Sequence, residues 1–497
     1  MSNVVPTASV TFSRPIGNME AYFPALSDSL GGSADREHWI VFLALKLSFP
    51  PSIVDPVPYL KRAWQALQVQ HPALGAILSP SGASDLKAQS TVSAISYEPE
   101  AWANISFSCR DERDAATLFS SLRPTATATC YWLSKSSEVV LRTSHWRVDG
   151  VGMTKLGHRF LATLADVVKL GADAALDTYA AQPPAYPPIG PSLETLIRGS
   201  KPPILSASKE DPVLAAAADA LVGEFLRGVP SIGLPTRANS YDSLPGSSSR
   251  VAITLDETAT GKVTATCRER KLKVTSAVHA AIVRATAKFP QHPLSKSYAA
   301  FVPVDLRRPL ASTVGPETRD DPRVTGLYFS GLPVCIEDVL GTDGKAPKDF
   351  ETISRELDAV YSRDLLEFWK PEGHTGSAIG FLDLIETYLQ RTTALLSATL
   401  PEGLPPLQTP DLSSLGKMDA FLQNNYGVGD GAKVKVVDCW LGTETLNRGV
   451  QFHTWGWKGK MTLSACFNNS FYEEAFVVDV LGKAIEELLA GCDVHKP

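Results

Sequence analysis

The distribution of apolar positions along the first half of the chain predicts alternating strands and helices. Residues 39–49 form a nearly continuous apolar run that ends at two prolines, which predicts a buried strand. In residues 57–70 the apolar side chains recur with helical spacing, which predicts a helix. Two strands are predicted at 127–133 and 138–144, and an apolar helical stripe follows them and stops near Gly171.

The second half shows the same mixture without a regular strand–helix–strand period. Strands are predicted at 250–255, 300–304, 326–334, 433–440 and 451–457. Helices are predicted at 257–270, 276–287, 350–363, 376–396 and 472–489. Apolar and small polar residues alternate over 461–467, which predicts a half-exposed strand. This order favours a mixed α+β architecture over a doubly wound parallel sheet.

A segment rich in proline, glycine and serine divides the chain. Residues 183–203 hold 7 prolines in 21 positions, and each proline fixes φ and removes a backbone donor. Asp211-Pro212 then predicts a helix start, with aspartate as the N-cap and proline in the first turn. We expect an N-terminal lobe at 1–215, a crossover linker at 216–249 and a C-terminal lobe at 250–497.

Composition narrows the class of protein. The chain has 497 residues, of which 44% are hydrophobic and 20% charged, so it can bury a large core. A net charge of -6 argues against nucleic acid as the main partner, because phosphate binding needs clustered cations. The 7 cysteines form no CxxC pair and suit a reducing compartment. With no leader-like start and no apolar run of ~20 residues, we expect a cytoplasmic protein without a membrane segment.

Histidine is scarce, with 9 in the chain, and His145 is the leading candidate for chemistry. It stands where a predicted strand ends, with Asp149 four residues later and Gly150 next. A neutral imidazole, with a pKa near ~6.5, can take a proton from an alcohol, an amine or a thiol. The alternative is a turn that contains these residues by chance. No phosphate-loop, zinc-protease or GxSxG motif occurs, and the chemistry needs no metal.

The segment from His145 to Gly150 resembles the HxxxDG motif of the acyltransferase superfamily that includes BAHD enzymes, trichothecene acetyltransferases and nonribosomal condensation domains. Three further segments resemble this superfamily and occur in its order. They are the helix at 276–285, the strand and turn at 302–307, and the strand and helix at 458–474.

The second BAHD signature, DFGWG, is matched only in part by Asp438-Cys439-Trp440-Leu441-Gly442. This difference points away from plant-type BAHD enzymes. The pattern D-x-W-x-G, followed by the aromatic segment 452–457, looks more like fungal trichothecene 15-O-acetyltransferases. Condensation domains usually carry a histidine before the motif histidine, whereas this chain has Ser144.

The resemblance implies two chloramphenicol-acetyltransferase-like α/β lobes with a channel between them. His145 would be the general base midway along this channel. Other residues receive structural or channel roles from the same resemblance. Asp149 is expected to pair with Arg307, and Gly150 to let the backbone pass close to the channel. Asp438 and Gly442 are expected to be structural. Trp440 and His453 are expected to line the channel or to belong to the core.

The expected activity is CoA-dependent O-acylation by a monomer. The resemblance implies an acyl-CoA, most simply acetyl-CoA, as co-substrate, with no permanently bound cofactor. The acceptor would be a small hydrophobic alcohol of the terpenoid or trichothecene type. Three alternatives stay open: condensation-type N- or O-acylation from a carrier-bound donor, a cyclisation that reuses His145, and a catalytically silent binding protein.

Overall fold

The structure, a computed structural model, describes most of the chain. The described residues are 9–31, 35–79, 90–179, 189–199, 210–238, 240, 242–315, 322–341, 346–370, 377–398, 403–429 and 433–494. Their strands are β1 (Ser9–Pro15), β2 (Val41–Ser48), β3 (Ile77–Ser79), β4 (Thr91–Ser96), β5 (Phe107–Arg110), β6 (Thr129–Leu133), β7 (Glu138–Thr143), β8 (Ser248–Leu255), β9 (Tyr298–Asp305), β10 (Phe329–Ile336), β11 (Asp411–Lys417), β12 (Asn425–Tyr426), β13 (Val434–Thr443), β14 (Gln451–Trp457) and β15 (Lys460–Asn468). Their helices are α1 (Asn18–Gly31), α2 (Val57–Gln70), α3 (Pro99–Ser106), α4 (Ala115–Ser121), α5 (Gly150–Leu170), α6 (Leu193–Arg198), α7 (Pro212–Leu226), α8 (Glu257–Glu269), α9 (Val274–Ala287), α10 (Arg307–Val314), α11 (Phe350–Tyr361), α12 (Phe381–Ser397) and α13 (Glu474–Gly491).

The largest sheet in the described residues is built around β2, the apolar strand that the sequence predicts. Six strands lie in the order β12-β13-β2-β7-β6-β5, antiparallel except for the parallel pair β5 and β6. The first five residues of β2 are all buried, because β2 is an interior strand. A strand in that position needs apolar residues on both faces, which explains the continuous run.

Helices α2 and α5 pack against each other and against this sheet. Helix α2 has the predicted bounds, and α5 follows the predicted stripe closely. Asp149 caps the start of α5 by accepting a hydrogen bond from the backbone N–H of Gly152. The helix ends at Gly171, whose φ of +94° suits glycine and few other residues.

The N-terminal strand β1 and helix α1 are not predicted from the sequence. Strand β1 pairs antiparallel with β4, and β4 pairs with β3, in a separate three-stranded sheet. On α1 the side chains of Met19 and Phe23, four residues apart, are buried. An interior proline, Pro24, interrupts the helical pattern and obscures α1 in the sequence.

A four-stranded sheet in the order β11-β14-β15-β8 corrects one prediction. Strand β15 is not half-exposed, since every residue after Lys460 is buried. It lies between two other strands, and helices α8 and α13 contact it. The hydroxyl of Thr462 on this strand tolerates burial by hydrogen bonding with that of Thr254 at 2.8 Å.

The remaining strands, β9 and β10, pair antiparallel over eight residues each. Helix α7 contacts both of these strands, and α12 packs against α7. Helix α9 packs between α11 and α13 and is buried along most of its length. The predicted mixed α/β class is therefore confirmed. Within the described residues, no helix combines the length and the apolar character needed to cross a bilayer.

The chain divides into two compact units that are interleaved in sequence. The first comprises Met1–Thr195, Glu317–Tyr328 and Met418–Thr443, and the second comprises Leu196–Pro316, Phe329–Lys417 and Glu444–Pro497. The predicted domains, 1–215, 216–249 and 250–497, are each one continuous stretch of sequence, whereas each compact unit is assembled from three separate segments. Strands β12 and β13 join the first unit through non-local pairing, which a local pattern does not reveal.

The predicted proline-rich linker lies partly outside the described residues, at 180–188 and 200–209. Helix α7, which follows it, starts as predicted. Its N-cap is Asp211, whose side chain accepts a hydrogen bond from the backbone N–H of Val213, and Pro212 occupies the first turn.

Candidate functional site

His145 lies just beyond the end of β7, in the first unit. Strand β7 ends at Thr143, which pairs with Val41 at the start of β2. A turn follows, in which the backbone N–H of Arg147 donates to the carbonyl of Ser144 at 3.1 Å. Helix α5 begins five residues after the histidine. An interior strand and a capped helix therefore hold the backbone on both sides of the imidazole.

The imidazole of His145 is half-buried and covered on one face. The ring of Phe23, from α1, stacks on it with centroids 4.3 Å apart and planes 6° from parallel. Burial lowers the pKa of His145 to about 4, although the carboxylate of Asp149 and a hydrogen bond with the residue's own backbone act in the opposite direction. At neutral pH the ring is uncharged and can accept a proton.

A second histidine, His38, lies in the same part of the first unit and is missed by the sequence analysis. It is buried, stacks on Trp39 with ring centroids 4.4 Å apart, and has its pKa lowered to about 3 by burial and by the nearby His145. Trp39 has a φ of +59°, a strained conformation for a bulky residue. The hydroxyl of Ser144 donates to Glu37 at 3.0 Å. One signal in the sequence was the position of His38, directly before the strongest apolar strand.

Asp149 has a structural position, and its carboxylate accepts hydrogen bonds from two backbone N–H groups. Its Oδ1 accepts from Gly152 at 2.7 Å, and its Oδ2 accepts from the N–H of Tyr328 at 2.8 Å. The backbone of Gly326 bonds on both sides of the motif, donating to Arg147 at 2.7 Å and accepting from Asp149 at 3.3 Å. Residues 326–328 thus hold the loop that carries His145 against the start of α5.

Arg147, inside the motif, is another residue that the sequence analysis does not single out. Its guanidinium is buried and donates to the hydroxyl of Thr143 at 2.6 Å and to the carbonyls of Ala76 and Ala126 at 2.7 and 3.0 Å. It also lies over the ring of Trp146, 4.2 Å from the centroid. Burial lowers the pKa of Arg147 to about 10. Arg147 ties the motif loop to two neighbouring segments.

Arg307, the expected partner of Asp149, lies at the first residue of α10 in the second unit. It is buried, and its Nη1 donates to Oδ1 of Asp305 at 2.9 Å. Gly150 opens α5, directly after its N-cap. The pairing of Asp149 with Arg307 stays a prediction.

The residues at 438–442 lie on β13, next to β2 in the large sheet. Asp438 is exposed beside a β-bulge, and its Oδ1 accepts from the N–H of Cys439. Trp440 is buried and stacks on Phe42 with centroids 4.9 Å apart. Gly442 lies opposite Phe42 in the strand register. These contacts are those of a packed sheet, and a channel role for Trp440 stays a prediction.

His453 lies on β14 in the second unit and is buried. Its Nδ1 is 4.0 Å from the Sγ of Cys466 on the neighbouring strand. In the structure His145, Asp149 and Gly150 therefore belong to one loop and helix start, whereas Arg307 and His453 belong to the other compact unit.

No family model matches the chain. It is 31% identical to the "Loline biosynthesis cluster 1 transcription factor lolU1" of Epichloe uncinata over 494 residues, which cover 96% of this chain and 94% of that protein. It is also 25% identical to the "O-acetyltransferase pigM" of Monascus ruber over 440 residues, 88% of this chain and 77% of the relative.

Solved structures show the same fold at low sequence identity. The trichothecene 15-O-acetyltransferase TRI3 from Fusarium sporotrichioides superposes with a TM-score of 0.69 at 15% identity, covering 99% of this chain and 98% of that one. Other matching structures include the condensation domain of the Monacolin K polyketide synthase MokA, with a TM-score of 0.57, and the first condensation domain of the CDA synthetase, with a TM-score of 0.61, each at 12% identity. The chain therefore belongs to the condensation-domain-like superfamily of acyltransferases, in a family that it shares with the lolU1 protein of Epichloe uncinata.

Proposed function

We propose that this acyltransferase moves an acetyl group from acetyl-CoA to a hydroxyl of a small hydrophobic secondary metabolite of the terpenoid or trichothecene type. The observation that carries the proposal is the uncharged imidazole of His145, fixed at the end of β7 and stacked on Phe23. The acetyltransferase names of the Monascus ruber and Fusarium sporotrichioides proteins support acetyl as the transferred group.

In this reaction His145 is the general base. It takes the proton from the acceptor hydroxyl while the oxygen attacks the thioester carbonyl, and the C–O bond forms. When the tetrahedral intermediate collapses, the C–S bond breaks and the imidazolium returns the proton to the CoA thiolate. The ester and free CoA are released, so atoms and charges balance. A base of this kind contributes ~10²–10⁴-fold to the rate.

The neighbouring residues shape the site and take no part in proton transfer. Both carboxylate oxygens of Asp149 accept backbone hydrogen bonds, which suits a structural role. We propose that Arg307 completes this arrangement, that Gly150 keeps the backbone close to the bound acceptor, and that Trp440 and His453 line the substrate channel. We also propose that the enzyme works as a monomer in the cytoplasm.

The test is acetyl transfer by the purified chain. Acetyl-CoA is supplied with a panel of hydroxylated and deoxygenated terpenoids, and thiol release and product mass are followed. We expect His145→Ala to lower kcat by ~10²-fold or more without loss of folding. The matched control is His292→Ala, which removes a loop histidine that accepts a bond from Leu294 in the second unit. A His145→Ala enzyme with normal transfer refutes the assignment of the base.

Two other functions give different results in the same assay. Condensation needs a carrier-bound donor, which the assay does not contain, and cyclisation needs no acyl donor, so neither releases free CoA. The Epichloe uncinata relative is named a transcription factor, which is a regulatory role. The formal charge of -6 gives little basis for binding a phosphate backbone. Tight binding of duplex DNA together with no transfer from acetyl-CoA would favour that role over ours.

A further inference from the structure

Helix α1 lies outside the motif, and it contacts the candidate base, His145, through the ring of Phe23. The two rings are 4.3 Å apart and nearly parallel, at 6°. The side chain of Phe23 is only 4% exposed, so the ring cannot swing away without disturbing its surroundings. One face of the imidazole is therefore shielded from water by a hydrocarbon surface.

Phe23 is itself held by aromatic neighbours. Its ring lies 5.9 Å from that of Trp39, at an interplanar angle of 58°, and 5.5 Å from that of Tyr22, at 74°. These tilted and edge-on arrangements are favourable for aromatic pairs. Trp39 in turn stacks on His38. Phe23 is thus held by Trp39, which lies outside α1, as well as by the backbone of α1.

A hydrogen bond ties α1 to the segment that precedes β2. The backbone N–H of His38 donates to the hydroxyl of Ser27 at 2.9 Å, one turn of α1 beyond Phe23. The next strand residues are paired with β7, with Val41 opposite Thr143. The position of Phe23 is therefore coupled through β2 to β7, the strand that precedes the histidine.

We infer that Phe23 is a positioning residue that fixes the plane of the His145 imidazole and keeps water from one of its faces. This inference rests on the proposed function where it concerns turnover. The orientation and protonation of His145 are physical properties that can be measured whether or not the protein transfers acetyl groups.

A smaller side chain at position 23 should shift the pKa of His145 in a definite direction. Burial lowers its pKa, so a smaller side chain at position 23 admits water and raises that pKa toward the ordinary value near ~6.5. The charged or ionisable groups that act on the ring are Asp149 at the start of α5 and His38 before β2. Nearby in the same unit, Glu37 accepts from the hydroxyl of Ser144, Arg147 lies over Trp146, and Tyr22 packs against Phe23. A substitution at Phe23 replaces none of these groups.

The experiment compares three variants with the wild-type chain. Phe23→Leu removes the flat ring, Phe23→Tyr keeps it, and Phe119→Leu is the matched control. Phe119, on α4 in the same unit, is also buried, and it packs edge-on against Phe42 and Trp440. The pKa of His145 is followed by NMR of labelled imidazoles, with His145→Gln to assign the signal. Kinetics give kcat, KM and the pH profile.

We expect Phe23→Leu to raise the pKa of His145, to move the acid limb of kcat/KM to higher pH, and to lower kcat about tenfold with KM nearly unchanged. Phe23→Tyr should stay close to wild type. Phe119→Leu should lower the melting temperature and leave the pKa of His145 in place. If Phe23→Leu does not fold, Phe23→Met takes its place.

An unchanged pKa and kcat in the folded Leu or Met variant overturns the inference. A raised pKa in a chain that transfers no acetyl group supports the positioning of His145 and counts against the proposed function alone. A loss of kcat in Phe119→Leu equal to that in Phe23→Leu shows a general packing effect and also overturns the inference.

Discussion

At the scale of single residues, Asp149 shows how one carboxylate connects two parts of the first unit. It is 2% exposed, and its oxygens accept from the N–H groups of Gly152 and Tyr328. The first bond caps α5, and the second holds a segment that is 179 residues away in sequence. Loss of the carboxylate leaves two N–H groups without this acceptor in a place that water reaches poorly.

We therefore expect Asp149→Ala to destabilise the protein much more than loss of an ordinary cap. The missing cap costs about 1 kcal/mol, and the N–H of Tyr328, left without its acceptor, adds about 1–3 kcal/mol. Asp149→Asn keeps one acceptor oxygen and should fall between Ala and wild type. Urea unfolding followed by circular dichroism gives the midpoints. Soluble yield should fall for Asp149→Ala and not for His145→Ala.

The control for this experiment is Asp256→Ala, because Asp256 caps α8 in the same way. Its Oδ1 accepts from the N–H of Ala259 at 2.7 Å, but the bond is exposed, so water can replace it. A loss of stability no larger for Asp149→Ala than for Asp256→Ala would show that the bond to Tyr328 contributes nothing.

The sequence identifies part of this residue set and not the rest, for a physical reason. His145 and Asp149 are four residues apart, so a local motif contains both. Phe23 and His38 reach the histidine only because β2 pairs with β7 and α1 packs beside them. A contact of that kind depends on tertiary structure, and the local pattern around Phe23 does not reveal it.

At the scale of elements, the predictions succeed where an apolar pattern repeats over a long helix. They fail where the exposure of a strand depends on its position in a sheet. The apolar face and the C-terminal end of helix α5 are predicted, because its apolar stripe and Gly171 are local features. Strand β15 is assigned the wrong exposure, because alternation cannot tell an edge strand from a covered interior one. The place of β13 beside β2 is non-local and equally hidden.

The segment at 322–328 is an element whose effect on the motif can be tested at Gly326. This residue has a φ of +114°, and a Cβ placed there would lie within 3.0 Å of the ring of Tyr328. We expect Gly326→Ala to cost about 1–3 kcal/mol in strain and to lower kcat, because Gly326 bonds to Arg147 and Asp149 beside the candidate base. Urea unfolding and steady-state kinetics measure the two effects.

Gly171→Ala provides the comparison for this change. Gly171 also has a positive φ, of +94°, but no atom lies within 4 Å of the added Cβ, and the residue ends α5 away from the motif. It should lose stability from strain while its kcat stays near that of wild type. Equal kcat values for Gly326→Ala and Gly171→Ala would remove Gly326 from any role in holding the site.

At the scale of the whole molecule, the two units carry different sets of wholly or partly buried ionisable groups. The first unit holds His38, His71 and His145, whose pKa values burial lowers to about 3, 4 and 4. In the second unit, burial lowers the pKa of His279 to about 3 and raises that of Asp411 to about 7. His279 and Asp411 lie in one polar cluster of the second unit. In this cluster the ring nitrogens of His279 contact the hydroxyls of two tyrosines.

These shifts have opposite signs for stability. An unfolded histidine takes up a proton below pH ~6.5, whereas the buried ring does not, so acid favours the unfolded state between pH 6.5 and the lowered pKa. The folded Asp411, with its raised pKa, is protonated below about pH 7, whereas the unfolded side chain is ionised down to about pH 4. Its contribution to the stability of the folded state therefore grows as pH falls through this window. In the second unit the two contributions offset each other between about pH 6.5 and pH 4.

Acidification from pH 6.5 to 5 should therefore lower the stability of the first unit more steeply than that of the second. Each proton not offset changes the free energy of unfolding by about 1.4 kcal/mol per pH unit. Hydrogen-exchange mass spectrometry checks this, because protection factors for β2 and β7 can be compared with those for β14 and β15 at each pH. Asp411→Asn removes the offsetting group, so β14 and β15 should then lose protection with acid as β2 and β7 do. Strands β14 and β15 that keep their protection in Asp411→Asn would contradict the compensation between His279 and Asp411.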